Sequence, residues 1–246
     1  RFDRFQLVDG GETMTRLILL LVVTAALAVG CASRSADDLA LSGNLAGAMD
    51  AYALEDTYES HLKMGLLHQT QGDHDDAVTQ FSLAAALNTE ADYRVYQYRA
   101  ESYLASDNPA KARADLDEAL RRNPRVAEIH FLLGNLHLQQ NRLEEAGAAY
   151  TRALEDEVDN PTLRTRILKN RALTYFRGEQ FANAAADYEQ ALAGNPSASK
   201  DERFQLGLLL YAADREEDAR KAWTGLSAVD RNRLRTMLDE NLDPGF

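Results

Sequence analysis

The chain has 246 residues, 45% of them hydrophobic and 27% charged, which is a globular rather than a disordered composition. A net charge of -12 and a pI near 4.9 exclude the basic stripe of a nucleic-acid binder. A single cysteine excludes an intrachain disulfide framework, and the few prolines and glycines among many Ala and Leu point to helix throughout.

In chain order, residues 1–13 precede Met14 and add nothing to a signal or a fold. We read them as an upstream leader, with Gly10-Gly11-Glu12 encoded by a purine-rich run of the kind a bacterial ribosome-binding site has. Residues 14–30 carry a cation at Arg16, an apolar run from Leu17 to Val29, and Gly30. That order is a secretory signal peptide. The run is short for a bilayer span, which sets aside an uncleaved anchor, and a buried core helix is the other alternative.

The Cys31 that comes after Leu27-Ala28-Val29-Gly30 resembles the lipobox of bacterial lipoproteins. The match departs at Ala28, where that family usually has Leu. The resemblance implies cleavage before Cys31 and acyl chains on its sulfur and new amino group. Ala32, standing where Asp would retain a lipoprotein at the inner membrane, implies lipid anchoring at the outer membrane, facing the periplasm. The alternative for Cys31 is a buried, inert thiol. Residues 31–42 are then a lipidated tether, and 43–57, with Ala48 and Tyr52, a partial repeat lacking a regular first helix.

From Tyr58 a two-helix phrase returns five times, over 58–233. Its first helix carries a small residue at Gly65, Ala100, Gly134, Ala172 or Gly207, in steps of 35, 34, 38 and 35. The long step holds a turn-rich insertion, Glu157-Val-Asp-Asn-Pro161. The second helix carries Ala, then a ring or Leu four residues on, then a small residue three further: Ala77, Phe81, Ala84; Ala112, Leu116, Ala119; Ala146, Tyr150, Ala153; Ala184, Tyr188, Ala191. Those spacings set one stripe on one helix face. The small residues mark where paired helices approach closely, and no unit can bury its apolar face alone, so units must stack. Asn108-Pro109 reads as a helix start, Asn123-Pro124 and Asn195-Pro196 as stops. Residues 234–246 come last as a capping helix and tail, with Leu234, Met237 and Leu238 on one face.

This pattern resembles the tetratricopeptide repeat, whose signature is W-x2-L-G-x2-Y, then A-x3-F, then P. The resemblance implies an all-α, right-handed α-solenoid of helix-turn-helix repeats that binds protein or peptide partners.

Chemistry is scarce beside the repeat. His61 and His68, and His130 and His137, are pairs seven apart and raise a metal-binding reading. They occupy positions where other units carry Tyr96, Tyr103, Leu168 and Tyr175, so an imidazole in an aromatic slot is the plainer reading. Two turns of helix, about 10 Å, also separate the members of a pair. His74 sits in an acidic turn. No nucleophile–base set, phosphate loop or paired-cysteine spacing is present, and Glu144-Glu145 and Glu216-Glu217 suit helix starts. We expect no enzyme activity, cofactor or resident metal.

The resemblance places first helices on the inner face of the stack. Three residues before each small mark stand Leu62, Gln97, Phe131, Lys169 and Phe204; one after it Leu66, Glu101, Asn135, Leu173 and Leu208; four after it Gln69, Leu104, Leu138, Phe176 and Tyr211. Ten of these fifteen are apolar, which suits an apolar strand or amphipathic helix from a partner. The groove residues we expect to matter are Leu62, Gln97, Phe131, Asn135, Lys169, Leu173, Phe204 and Leu208. Only Asn135 and Lys169 resemble the cationic clamp by which cochaperone members of the family hold acidic tails. The alternative is a groove covered by packing or by the chain's own 33–52 segment. In size, anchor and repeat content the chain resembles the pilotins of type IV pili, which assist secretin assembly. An adaptor for cell-wall enzymes or other envelope machinery is the second reading, and a metal-binding periplasmic protein the third.

Overall fold

The computed structural model describes residues 35–225, apart from 90, 157–159 and 194–197. The leader, the signal segment, Cys31 and the capping segment beyond the fifth unit lie outside the described residues. Within them, twelve helices pair into six hairpins: α1 (Ala36–Leu41) with α2 (Leu45–Ala53), α3 (Tyr58–Gln71) with α4 (His74–Leu87), and α5 (Arg94–Ala105) with α6 (Pro109–Arg122). The second half repeats the scheme: α7 (Ala127–Gln139) with α8 (Leu143–Glu155), α9 (Pro161–Arg177) with α10 (Phe181–Leu192), and α11 (Lys200–Ala212) with α12 (Glu216–Ala222).

Each hairpin turns on one left-handed residue. Gly43, Gly72, Asp107, Asn141, Glu179 and Asp214 have φ of 81, 83, 53, 55, 57 and 59°. Each stands seven residues after the unit's small mark and five before its buried alanine, Ala48, Ala77, Ala112, Ala146, Ala184 or Ala219. Glycine adopts this conformation freely and Asn or Asp tolerates it, so a reversal of two or three residues ends one helix and starts the next.

That register makes Ala36 the small mark of the first hairpin. Its first helix is therefore present, though only six residues long. Over residues 35–42 this corrects the expected tether. From Ser35 the chain is capped, with the Ser35 hydroxyl accepting from the Asp38 amide, and the helix docks. Asp37 accepts from the Tyr52 hydroxyl and from Lys63 Nζ at 2.8 Å, tying α1 to α2 and α3. The expected partial repeat is a complete, shortened unit.

Within units the small marks meet rings. A Cβ built on Gly65 would lie 2.4 Å from the Phe81 ring, on Gly134 2.4 Å from Tyr150, and on Gly207 2.0 Å from Trp223. Phe81, Leu116 and Tyr150 are fully buried, and Tyr188 nearly so. Each such side chain contributes about 1.5–3 kcal/mol by leaving water. Between units, each second helix packs on the first helix of the next, so the core runs the length of the stack in linked clusters rather than gathering at one centre. Asn160 caps α9, its Oδ1 accepting from the Thr162 and Leu163 amides at 3.0 and 3.2 Å, and Pro161 fills the first turn.

Candidate functional site

First helices of successive units touch one another: α3 with α5, α5 with α7, α7 with α9. Second helices make no comparable contact among the described residues. The stack therefore curves with its first helices inside, and the inner face is a polar-and-apolar mosaic. Gln69 Nε2 donates to the Tyr98 carbonyl and to Ser102 Oγ, both at 2.9 Å, joining α3 to α5. Asn170 Nδ2 donates to Asn135 Oδ1 at 2.8 Å, joining α7 to α9. Lys169 pairs with Glu202, joining α9 to α11. That ammonium, with the Ser199 amide, holds the Glu202 carboxyl below the usual carboxylate range.

The eight groove residues named from sequence divide. Leu62, Phe131, Phe204 and Leu208 are buried, between 2 and 7% exposed, and serve the packing of helices rather than a free surface. Phe131 shows why: its ring lies 6.0 Å from that of Tyr150 and is roofed by the Arg166 guanidinium at 4.9 Å. Gln97, Asn135, Lys169 and Leu173 are half-buried. Of these, Asn135 also accepts from the Tyr150 hydroxyl at 2.8 Å, and Lys169 is spent on Glu202, so neither polar group of the imagined clamp is free.

What remains accessible lies mainly in the positions after the small mark. Leu66, Leu104, Leu138, Leu173 and Phe176 are half-buried, and Tyr211 is 41% exposed. They form an apolar track across all five full units, with Glu101 exposed among them. The carboxyl of Glu101 is nonetheless pushed above the usual carboxylate range by desolvation, with Arg166 and His74 opposing. Arg166 is on α9 and Glu101 on α5, two units apart, and their charges sense each other across α7.

Tyr98, beside this track on α5, stacks on Phe81 with ring centroids 5.9 Å apart. The described part of the 33–52 segment stacks end-on against Met64 and Leu67 of α3 as a preceding unit, so it does not cover the inner face.

The histidines keep separate company. His61 Nδ1 lies 2.8 Å from Gln80 Oε1 and Nε2 2.9 Å from Asp56 Oδ1. His130 Nε2 donates to the Pro124 carbonyl at 3.2 Å. His137 is buried, and desolvation, then Arg142 and Arg113, holds its pKa below the usual imidazole value. Among the described residues no three His, Cys, Asp or Glu side chains converge as a metal ion needs.

Sequence reading missed a paired device. Arg99 Nε and Nη2 grip Asp115 at 2.7 Å each while Nη1 donates to Ser82 Oγ at 3.1 Å. Arg171 repeats this on Asp187 at 2.7 and 2.8 Å, with Thr151 Oγ1 at 3.0 Å. The signal was present: Arg-Ala at 99–100 and 171–172 and Asp before Leu116 and Tyr188, both 72 residues apart. Each Arg thus ties three helices, in alternate units. Nearby, a crevice of about 310 Å³ between α8 and α9 opens at Gly147, where the other full units carry Val78, Arg113, Ala185 and Arg220.

Curvature, hairpin register and ring-on-glycine packing define a class: the architecture is that of a tetratricopeptide-repeat α-solenoid, of the kind that serves as a protein–protein interaction scaffold. The tetratricopeptide-repeat family model matches residues 98–160 and 169–224. Among solved structures, the chain is similar to PilF of Pseudomonas aeruginosa, with a TM-score of 0.61 and 20% identity over 75% of this chain and 85% of that one. It is similar to MamA, with a TM-score of 0.57 and 16% identity over 76% and 97% of the two chains. YrrB, described as a tetratricopeptide-repeat protein with an unusual peptide-binding site, gives a TM-score of 0.53 and 14% identity over 68% and 84%. At these identities the likeness is one of fold. Among curated proteins, RNA polymerase II-associated protein 3 is 36% identical over 88 residues in Rattus norvegicus and 32% over 101 in Homo sapiens. Those matches cover 36 and 41% of this chain but only 13 and 14% of the relatives' length.

Proposed function

We propose that the protein is a lipid-anchored scaffold of the outer membrane, facing the periplasm, that holds a protein segment along its inner face during assembly of a type IV pilus or secretin complex. The observation that carries the binding half is the apolar track Leu66, Leu104, Leu138, Leu173, Phe176 and Tyr211, left accessible while the polar groups around it are satisfied internally. Partly buried apolar side chains recurring in every full unit suit an amphipathic helix or extended strand. The anchoring half rests on the signal-like run ending at Cys31. The six stacked hairpins support the pilotin reading, and the fold is shared with PilF. Function here is binding without chemistry.

The test is in-cell crosslinking with identification of captured proteins, comparing the intact chain with a Leu138→Glu, Leu173→Glu double variant. These side chains are half-buried, so the variant retains its fold better than one altered at Phe131 or Phe204. A secretin captured by the intact chain alone supports the reading, and capture of cell-wall enzymes moves it to the adaptor. Identical capture by both forms removes the inner face from the reading. For the anchor, Cys31→Ser should release the protein from the membrane fraction.

A further inference from the structure

We propose that the segment bound by this inner face, which rests on the docking groove proposed for the same face, is amphipathic and carries a lysine or arginine that meets Glu101. Several charges of the inner helices are matched within the chain: Lys63 with Asp37 at 2.8 Å, Arg94 with Asp92 at 2.6 Å, Lys169 with Glu202. Arg166 lies over the Phe131 ring. Glu101 differs. Among the described residues no hydrogen bond or ion pair reaches its carboxylate, and only the more distant charges of Arg166 and His74 act on it.

Its setting gives that free carboxylate a consequence. It stands in the apolar track, one turn from Leu104 on the same helix, with Leu66 at the same position of the unit before. Burial around it raises its pKa, the mark of a charge that has lost water and gained no partner. An apolar segment laid along Leu66, Leu104 and Leu138 would strip the remaining water. A neutral or acidic segment would leave a desolvated, uncompensated charge, whereas an ammonium or guanidinium supplies the missing partner. The chain's net charge of -12 favours approach of the same basic partner.

The experiment uses short, capped helical peptides with leucines at i, i+4 and i+7 that differ only in one central residue: Lys, Gln or Glu. Their affinities for the full chain are read by fluorescence anisotropy. The lysine peptide should bind about tenfold more tightly than the glutamine peptide, a preference lost in Glu101→Gln and reversed toward the glutamate peptide in Glu101→Lys. Position 101 is exposed, so both variants should keep the helical circular dichroism of the parent. If all three peptides bind alike and Leu138→Ser weakens them alike, the groove stands and the cation preference falls. If none binds, or Leu138→Ser changes nothing, the groove itself falls and the preference with it.

Discussion

At Gly134 the ring of Tyr150 takes the space a side chain would need, and the Tyr150 hydroxyl is fixed on Asn135 at 2.8 Å, so the ring cannot slide away. Gly134→Ala should therefore cost about 1–3 kcal/mol, seen as a lower urea midpoint, because a methyl is forced into a filled core. The same substitution at Gly147, where a Cβ would meet nothing nearer than 4.0 Å, should be harmless by the same measurement. His137 adds a pH dependence. Its folded pKa lies below the unfolded value near 6.5, chiefly through desolvation, so the unfolded chain takes up the proton first. The stability due to the neutral imidazole is complete above the unfolded value and is lost as pH falls through the folded pKa. His137→Leu, which copies Leu210 at the same position of the fifth unit, should flatten that part of a plot of Tm against pH.

Among elements, the second and fourth full units are joined to their neighbours by a guanidinium and the third by hydrocarbon. Arg171 and Asp187 are about one-sixth and one-tenth exposed, so breaking the pair strands a charge. Arg171→Leu alone should destabilise by about 3 kcal/mol in chemical denaturation. Arg171→Leu with Asp187→Ala reproduces Leu133 and Ala149 of the third unit and should recover most of the loss, since a buried pair replaced by apolar groups is close to neutral. The Thr151 hydroxyl keeps its own acceptor, the Gly147 carbonyl at 2.8 Å, so it is not orphaned by the exchange.

At the scale of the whole stack, helix contacts among the described residues run between neighbouring units, so stability is a sum of local terms and fraying begins at the ends. Deleting residues through 53 would expose Met64 and Leu67, which the first hairpin covers. Amide exchange in α3 and α4 should quicken, while α9 and α10, more than two units away, should keep their protection. A uniform acceleration along the chain would mean that the stack unfolds as one unit instead.

The repeat was legible in the sequence because it is written in local spacing. Small residue, left-handed turn, alanine and ring recur at fixed intervals, and those intervals alone dictate hairpins that must stack. Even the first hairpin was half visible, in Ala48 and Tyr52; its short first helix was missed because six residues are too few to show a helical period. The inner face was legible only as a set of positions. Whether Phe131 is a contact or a core residue depends on Arg166 crossing from the next unit, and whether Asn135 and Lys169 are free depends on Tyr150, Asn170 and Glu202. Periodicity decides which residues share a helix face. Only the stacking of one unit on the next decides which of them still meet water, because curvature brings side chains from separate units into contact across the groove.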